Sequence, residues 1–87
     1  MKKFEHLFAE LEKRALEPSP DSKTSQYLEA GAHAIGKKLV EEAGELWLAL
    51  EHETADRVAE EASQLIYFVP LALVARGIPL SELENNL

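Results

Sequence analysis

Between Lys37 and Gln64 the chain gathers carboxylates at helical spacing: Glu41, Glu42 and Glu45 in one run, then Glu60 and Glu61 ahead of Gln64. Residues three and four apart are neighbours on a helix, so Glu42 meets Glu45, Glu41 meets Glu45, and Glu61 and Gln64 repeat the spacing on the next helix. Like charges so placed are mildly destabilising unless a cation sits among them. If a short turn folds the two helices antiparallel, Glu42, Glu45, Glu61 and Gln64 face one another as a cage of oxygen ligands. Hard oxygens without sulfur or an obligatory histidine suit Mg²⁺ or Mn²⁺. Such an ion usually serves a phosphate-bearing substrate: it polarises a phosphoryl oxygen, orients a diphosphate and lowers the pKa of an attacking water. Lys37 and Lys38, one turn ahead of the acids, and Arg57, on the second helix, are candidates to bind phosphate oxygens. The same spacing also makes ordinary surface pairs, Lys37 with Glu41 and Lys38 with Glu42, so a solvated salt-bridge ladder is the competing reading.

The elements that must position these residues are all helical. Phe4, Leu7, Phe8, Leu11 and Ala15 recur at three and four within a first helix over residues 2–17. Pro18 and Pro20 end it, because proline lacks the helical donor and restricts the residue before it. Ser22, Thr24 and Ser25 offer N-caps for a short helix through about Ala30, and Gly31 and Gly36 weaken or bend the continuation. The main helix runs from about Ala32 to Leu50 or Glu51, with Ile35, Leu39, Ala43, Leu46 and Leu50 as its stripe. At about 100° per residue Glu42 lies roughly 60° off that stripe, Lys38 roughly 100° and Glu45 roughly 120°, all on one side. Val40 and Trp47 make a second apolar flank, so this helix is packed from more than one direction, which in a short chain points to a subunit interface.

After a polar turn with Thr54 as its cap, a second long helix is expected over about Ala55 to Arg76, with Val58, Ala62, Leu65, Val69 and Ala72 as its stripe. Pro70 is expected to kink it or to remove a hydrogen bond. Gly77 stops it and a short last helix covers about Leu80 to Asn86. His33 reads as a partly buried packing residue, His6 and His52 as exposed. Trp47 and Tyr67 read as core or interface rings, and Thr24, Ser25 and Tyr27 as capping and packing groups. No strand pattern, internal repeat or low-complexity tract is present. The fold class is all-α, with four to five helices.

Composition narrows the function. Eighty-seven residues make a single domain, 1–87, that buries only about 60% of its unfolded surface as a monomer. With no cysteine, neither disulfides nor zinc–thiolate sites are open to it, and helix packing between subunits is the remaining remedy. A net charge of −7 is the wrong sign for bulk-electrostatic nucleic-acid binding. No signal peptide is visible and no uninterrupted apolar run approaches the ~20 residues of a membrane span. A cytoplasmic protein with neither a nucleic-acid nor a membrane partner is expected.

The run Gly31-Ala32-His33-Ala34-Ile35-Gly36-Lys37-Lys38-Leu39-Val40-Glu41-Glu42-Ala43-Gly44-Glu45, followed by Glu61-Ala62-Ser63-Gln64-Leu65-Ile66-Tyr67, resembles the phosphoribosyl-ATP pyrophosphatase family, a branch of the MazG-like all-α nucleotide pyrophosphatases. The similarity extends to Phe4, Leu7 and Leu11, to the serines before Tyr27, and to Arg76-Gly77-Ile78-Pro79-Leu80. It implies Mg²⁺-dependent hydrolysis of phosphoribosyl-ATP to phosphoribosyl-AMP and diphosphate, the second step of histidine biosynthesis, by an intertwined homodimer whose helices form bundles. Glu41, Glu42 and Glu45 match the first acidic motif and are the implied catalytic residues. Glu61 matches the start of the second motif, and Lys37 and Lys38 match the basic positions before the first. Two positions depart from the pattern: Gln64 replaces the aspartate that usually ends the second motif, and Phe68 stands where the family often has histidine. An amide oxygen still ligates Mg²⁺ but brings no charge. The residues that bind zinc in a fused cyclohydrolase partner are lacking, so a stand-alone protein is expected. The competing functions are a house-cleaning nucleoside triphosphate pyrophosphatase with the same chemistry and another pocket, and a helical dimerisation module without catalysis.

Overall fold

A computed structural model describes residues 2–87 as five helices: α1 (Phe4–Leu16), α2 (Lys23–Ala30), α3 (Ala32–His52), α4 (Ala55–Ala75) and α5 (Leu80–Glu84). Each expected helix is present and no strand occurs among the described residues. The boundaries differ at the ends. The first helix starts at Phe4 without a side-chain cap, α3 continues through His52, and α5 stops at Glu84. Of the three candidate caps for α2, Ser22 does the capping: its Oγ accepts from Ser25 N at 3.2 Å. Ser25 is buried and its own Oγ accepts from Ser19 N at 2.9 Å, which ties the proline loop to α2.

Gly31 ends α2 and opens α3 with φ +98° and ψ 177°, a conformation essentially confined to glycine. Gly36 does not interrupt α3. At the end of α4, Gly77 at φ +70° closes a Schellman motif, with Gly77 N donating to Val74 O and Ile78 N to Leu73 O. Pro70 lies inside α4 and cannot donate to the Ile66 carbonyl, yet the helix runs on to Ala75.

The two 21-residue helices α3 and α4, joined only by Glu53 and Thr54, pack antiparallel as the principal contact, and α1 and α2 lie across them. Leu11, Ile35, Phe68 and Leu71 form the buried core. The buried stripes are not those expected from an ideal helix. Along α3 the inward line is Ile35, Leu39, Glu42, Leu46 and Ala49, while Ala43 is exposed and Leu50 is 65% exposed. Along α4 it is Val58, Glu61, Leu65, Phe68 and Ala72. Both follow the alternating three-and-four spacing of helices that stay in register along a shared seam. His33, expected to be partly buried, is exposed, because it points away from that seam.

By length and composition α4 is the one described helix apolar enough to cross a membrane, with a mean hydropathy of 1.4 over its best window. Asp56, Glu60 and Glu61 interrupt it, so the average is high although no apolar run within it is long. Within the chain α4 packs against α3, α1 and α2 and carries the buried Glu61, yet only 22% of that window is buried.

Candidate functional site

The shift of the stripes is what builds the site. Glu42 and Glu61 do not flank the α3–α4 seam; they occupy it, at 5% and 7% exposure, where the spacing otherwise calls for apolar side chains. Each carboxylate is half satisfied. Glu42 Oε1 lies 3.6 Å from Lys38 Nζ, one turn back on α3, and Glu61 Oε1 accepts from Arg57 at 2.9 Å, one turn back on α4. The other oxygens, Glu42 Oε2 and Glu61 Oε2, are buried without any hydrogen-bond partner. A buried charged oxygen left unpaired costs several kcal/mol in order of magnitude, so two of them facing a common seam make it a candidate site for a cation.

Glu45 completes the group. Oxygens of Glu42, Glu45 and Glu61 all lie within 4.8 Å of one another, with Glu45 exposed to solvent. Three convergent carboxylates, two with a free buried lone-pair oxygen, fit a hard divalent cation of the Mg²⁺ or Mn²⁺ class.

The remaining sequence candidates divide. Glu41 is exposed and takes a hydrogen bond from Lys38 Nζ at 3.1 Å, outside the convergent trio. That bond, opposed by partial desolvation and aided by the charges of Glu41 and Glu42, holds the Lys38 ammonium pKa above its ordinary value. Lys37 is exposed and lies off the seam. Arg57 forks between Glu60 and Glu61 at 2.9 Å each, and its hydrogen bond to Glu60 is the main cause of its raised pKa. Gln64 is exposed and lines a cavity beside Glu42.

That cavity, of about 550 Å³, lies between the first turn of α2 and the seam, and is lined by Lys23, Tyr27, Lys38, Glu42, Ser63, Gln64, Tyr67 and Phe68. Phe68 is a core residue, edge-on to Tyr27 and Tyr67, with Lys38 Nζ 5.7 Å from its ring centre. At the position where histidine is frequent, a buried phenyl ring has no proton to exchange. Tyr67 is half-buried and its hydroxyl hydrogen-bonds Thr24, pinning α2 to α4. Lys23 and Tyr27 were not among the sequence candidates for the site. No periodicity relates them to Lys38 or Gln64, and only the docking of α2 brings them there; the serine cap ahead of Lys23 was the one local sign that this turn is anchored.

The family described as phosphoribosyl-ATP pyrophosphohydrolase matches residues 1–87. Among curated relatives, the phosphoribosyl-ATP pyrophosphatase of Bifidobacterium adolescentis is 53% identical over 87 residues, that of Bifidobacterium animalis subsp. lactis 52% and that of Salinibacter ruber 49%. Each comparison covers 100% of this chain and 100% of the relative.

Proposed function

Since the chain belongs to the phosphoribosyl-ATP pyrophosphohydrolase family, we propose that it hydrolyses phosphoribosyl-ATP to phosphoribosyl-AMP and diphosphate in histidine biosynthesis, with Mg²⁺ as its cofactor. The observation that carries the site is the pair of buried, unpartnered oxygens on Glu42 and Glu61 beside Glu45. These three residues would hold the ion, and Gln64 would offer a neutral oxygen from the cavity side. Bound there, the cation supplies Lewis-acid polarisation of phosphoryl oxygens and a lowered pKa for water.

The chain's own groups do the positioning. Glu45, the exposed member of the trio, is placed to take a proton from water arriving at the site. Glu41 acts one step back, holding Lys38 by its hydrogen bond. Lys38 and Arg57, each one turn behind a buried acid, compensate those carboxylates and offer further donors to substrate phosphates. Lys37 has only its charge to contribute, from the solvent side.

The partner that fits is a second copy of the chain. One residue on from the buried line of α3, Gly36, Val40, Ala43, Trp47 and Leu50 repeat the same spacing, with Val40 74%, Trp47 64% and Leu50 65% exposed. The chain exposes 6235 Å², where a compact folded monomer of 9.7 kDa exposes about 5,100 Å². The excess is comparable to the roughly 800 Å² that each partner buries in a stable interface. A soluble, cytoplasmic homodimer goes with this reading.

The test is diphosphate release from phosphoribosyl-ATP, with and without Mg²⁺, for the wild type and Glu42→Gln. Metal-dependent release that falls on the order of a thousandfold in the variant is the expected result. Cleavage of simple deoxynucleoside triphosphates alone would keep the chemistry and remove the pathway assignment. No release from either substrate would leave a non-catalytic dimerisation module.

A further inference from the structure

The two cations beside the acids do not stand side by side. Lys38 precedes Glu42 on α3 and Arg57 precedes Glu61 on α4; because the helices run antiparallel, the pairs lie at opposite ends of the acidic cluster along the seam. The ends differ in kind. At the Arg57 end stand an exposed guanidinium and the α3–α4 turn. At the Lys38 end opens the 550 Å³ cavity, walled by the rings of Tyr27, Tyr67 and Phe68 and by the polar groups of Ser63 and Gln64. Into the same cavity comes Lys23, on the first turn of α2. Among the described residues no carboxylate pairs with Lys23, whereas Lys38 is shared between Glu41 and Glu42.

The two halves of the substrate make different demands. The diphosphate that leaves needs cationic donors and access to water. The half that stays carries an adenine ring, two ribose rings and a phosphate monoester remote from the scissile linkage, so it needs ring-lined space and a second cation set apart from the metal. We propose that the phosphoribosyl-AMP half lies in the cavity with its remote phosphate monoester on Lys23, and that the diphosphate departs over the Arg57 end. This rests on the function proposed above and adds to it a direction for the substrate and a specificity-determining residue. The hydrogen bond from Ser25 N to Ser22 Oγ and the Thr24–Tyr67 hydroxyl pair fix the first turn of α2, so Lys23 is presented from an anchored backbone. The cavity adjoins the cluster, since Glu42 lines the one and belongs to the other. A nucleoside triphosphate without the phosphoribosyl arm leaves Lys23 without a ligand, which gives the enzyme a means of preferring the longer substrate.

The two reaction products test the direction, because each carries one half. Inhibition constants for phosphoribosyl-AMP and for inorganic diphosphate are measured on the full chain for wild type, Lys23→Met and Lys23→Arg, with circular dichroism and sedimentation confirming that each variant is folded and assembled as the wild type is. Lys23→Met is expected to raise the constant for phosphoribosyl-AMP about tenfold and to leave that for diphosphate unchanged, with Lys23→Arg restoring most of the loss. Arg57→Met is expected to give the reverse selectivity. A rise confined to diphosphate in Lys23→Met overturns the direction, and a folded Lys23→Met with both constants unchanged overturns the subsite. A wild type that does not hydrolyse phosphoribosyl-ATP removes the functional reading itself, a result visible before any variant is made.

Discussion

The helices α3 and α4 carry two parallel lines each, one residue apart and so about 100° around the helix, and the two lines break opposite rules. The inner line, buried within the chain, interrupts its apolar run with Glu42 and Glu61. The outer line keeps its apolar run, through Val40, Trp47 and Leu50 on α3 and Ala62, Ile66 and Val69 on α4, yet leaves much of it facing solvent. A charge inside and hydrocarbon outside are both unfavourable for an isolated chain. The proposed function supplies a neighbour for each, a cation for the inner line and a second copy for the outer.

That contrast is sharpest in the response to metal. Mg²⁺ at about 100 times its dissociation constant is expected to stabilise the wild type by about 2.7 kcal/mol, a rise in melting temperature of roughly 10 to 20 °C for a chain of this size. Glu42→Gln is expected to lose that response and, without metal, to melt a few degrees higher than the wild type, because one of two facing buried charges is gone. Calorimetry in chelator and in Mg²⁺ reads both. A variant less stable than the wild type in chelator would mean that Lys38 and Arg57 compensate the inner acids fully, without a metal.

The outer line is tested by Trp47→Asp. The substitution is expected to weaken self-association by about 2 kcal/mol or more while helicity is retained, since Trp47 is a large side chain exposed on a single chain. Sedimentation as a function of concentration checks it. An unchanged assembly would move the interface off this face.

The smallest effect lies between the two lines, at Lys38. Its pKa is raised from 10.5 in the folded chain, chiefly by Glu41, so the stabilisation is fully present below pH 10.5 and is lost as pH rises through the higher folded-state value. Lys38→Met is expected to cost about 0.5 kcal/mol at neutral pH, with the difference from wild type shrinking only above that range. Denaturant melts across alkaline pH follow it, and a difference that already closes near neutrality would show that the pairing is not what Lys38 contributes.

Much of the fold was legible because its signals are local. Proline after α1, serine before α2, glycine at Gly31 and Gly77, and three-and-four periodicity in between place every helix to within a few residues. The first acidic run was legible too, as a set of neighbours. Its internal division was not. Glu41, Glu42 and Glu45 look alike along the chain, but one is bonded to Lys38 on the surface, one is buried in the seam and one bridges the seam to solvent. The apolar stripes were misplaced for a related reason. Ile35, Leu39, Ala43, Leu46 and Leu50 follow a straight helix, whereas two helices kept in contact hold a seven-residue register, and an ideal helix drifts about 20° from it every heptad. That drift alone is too small to exchange Ala43 for Glu42 or Leu50 for Ala49, which are about 100° apart; the side from which α4 packs decides which of each pair is buried.

By itself the sequence determined that this protein is all helix, where each helix begins and ends to within a few residues, and which acids lie within one turn of one another, because all of these depend on bonds and contacts about four residues long. Which acids lose their water, which apolar line remains to be covered, and that Lys23 and Tyr27 share a cavity with Gln64 were decided only by tertiary structure. Burial is a property of the partner surface, and α2 reaches the seam through contacts such as Thr24 with Tyr67 that no local rule relates.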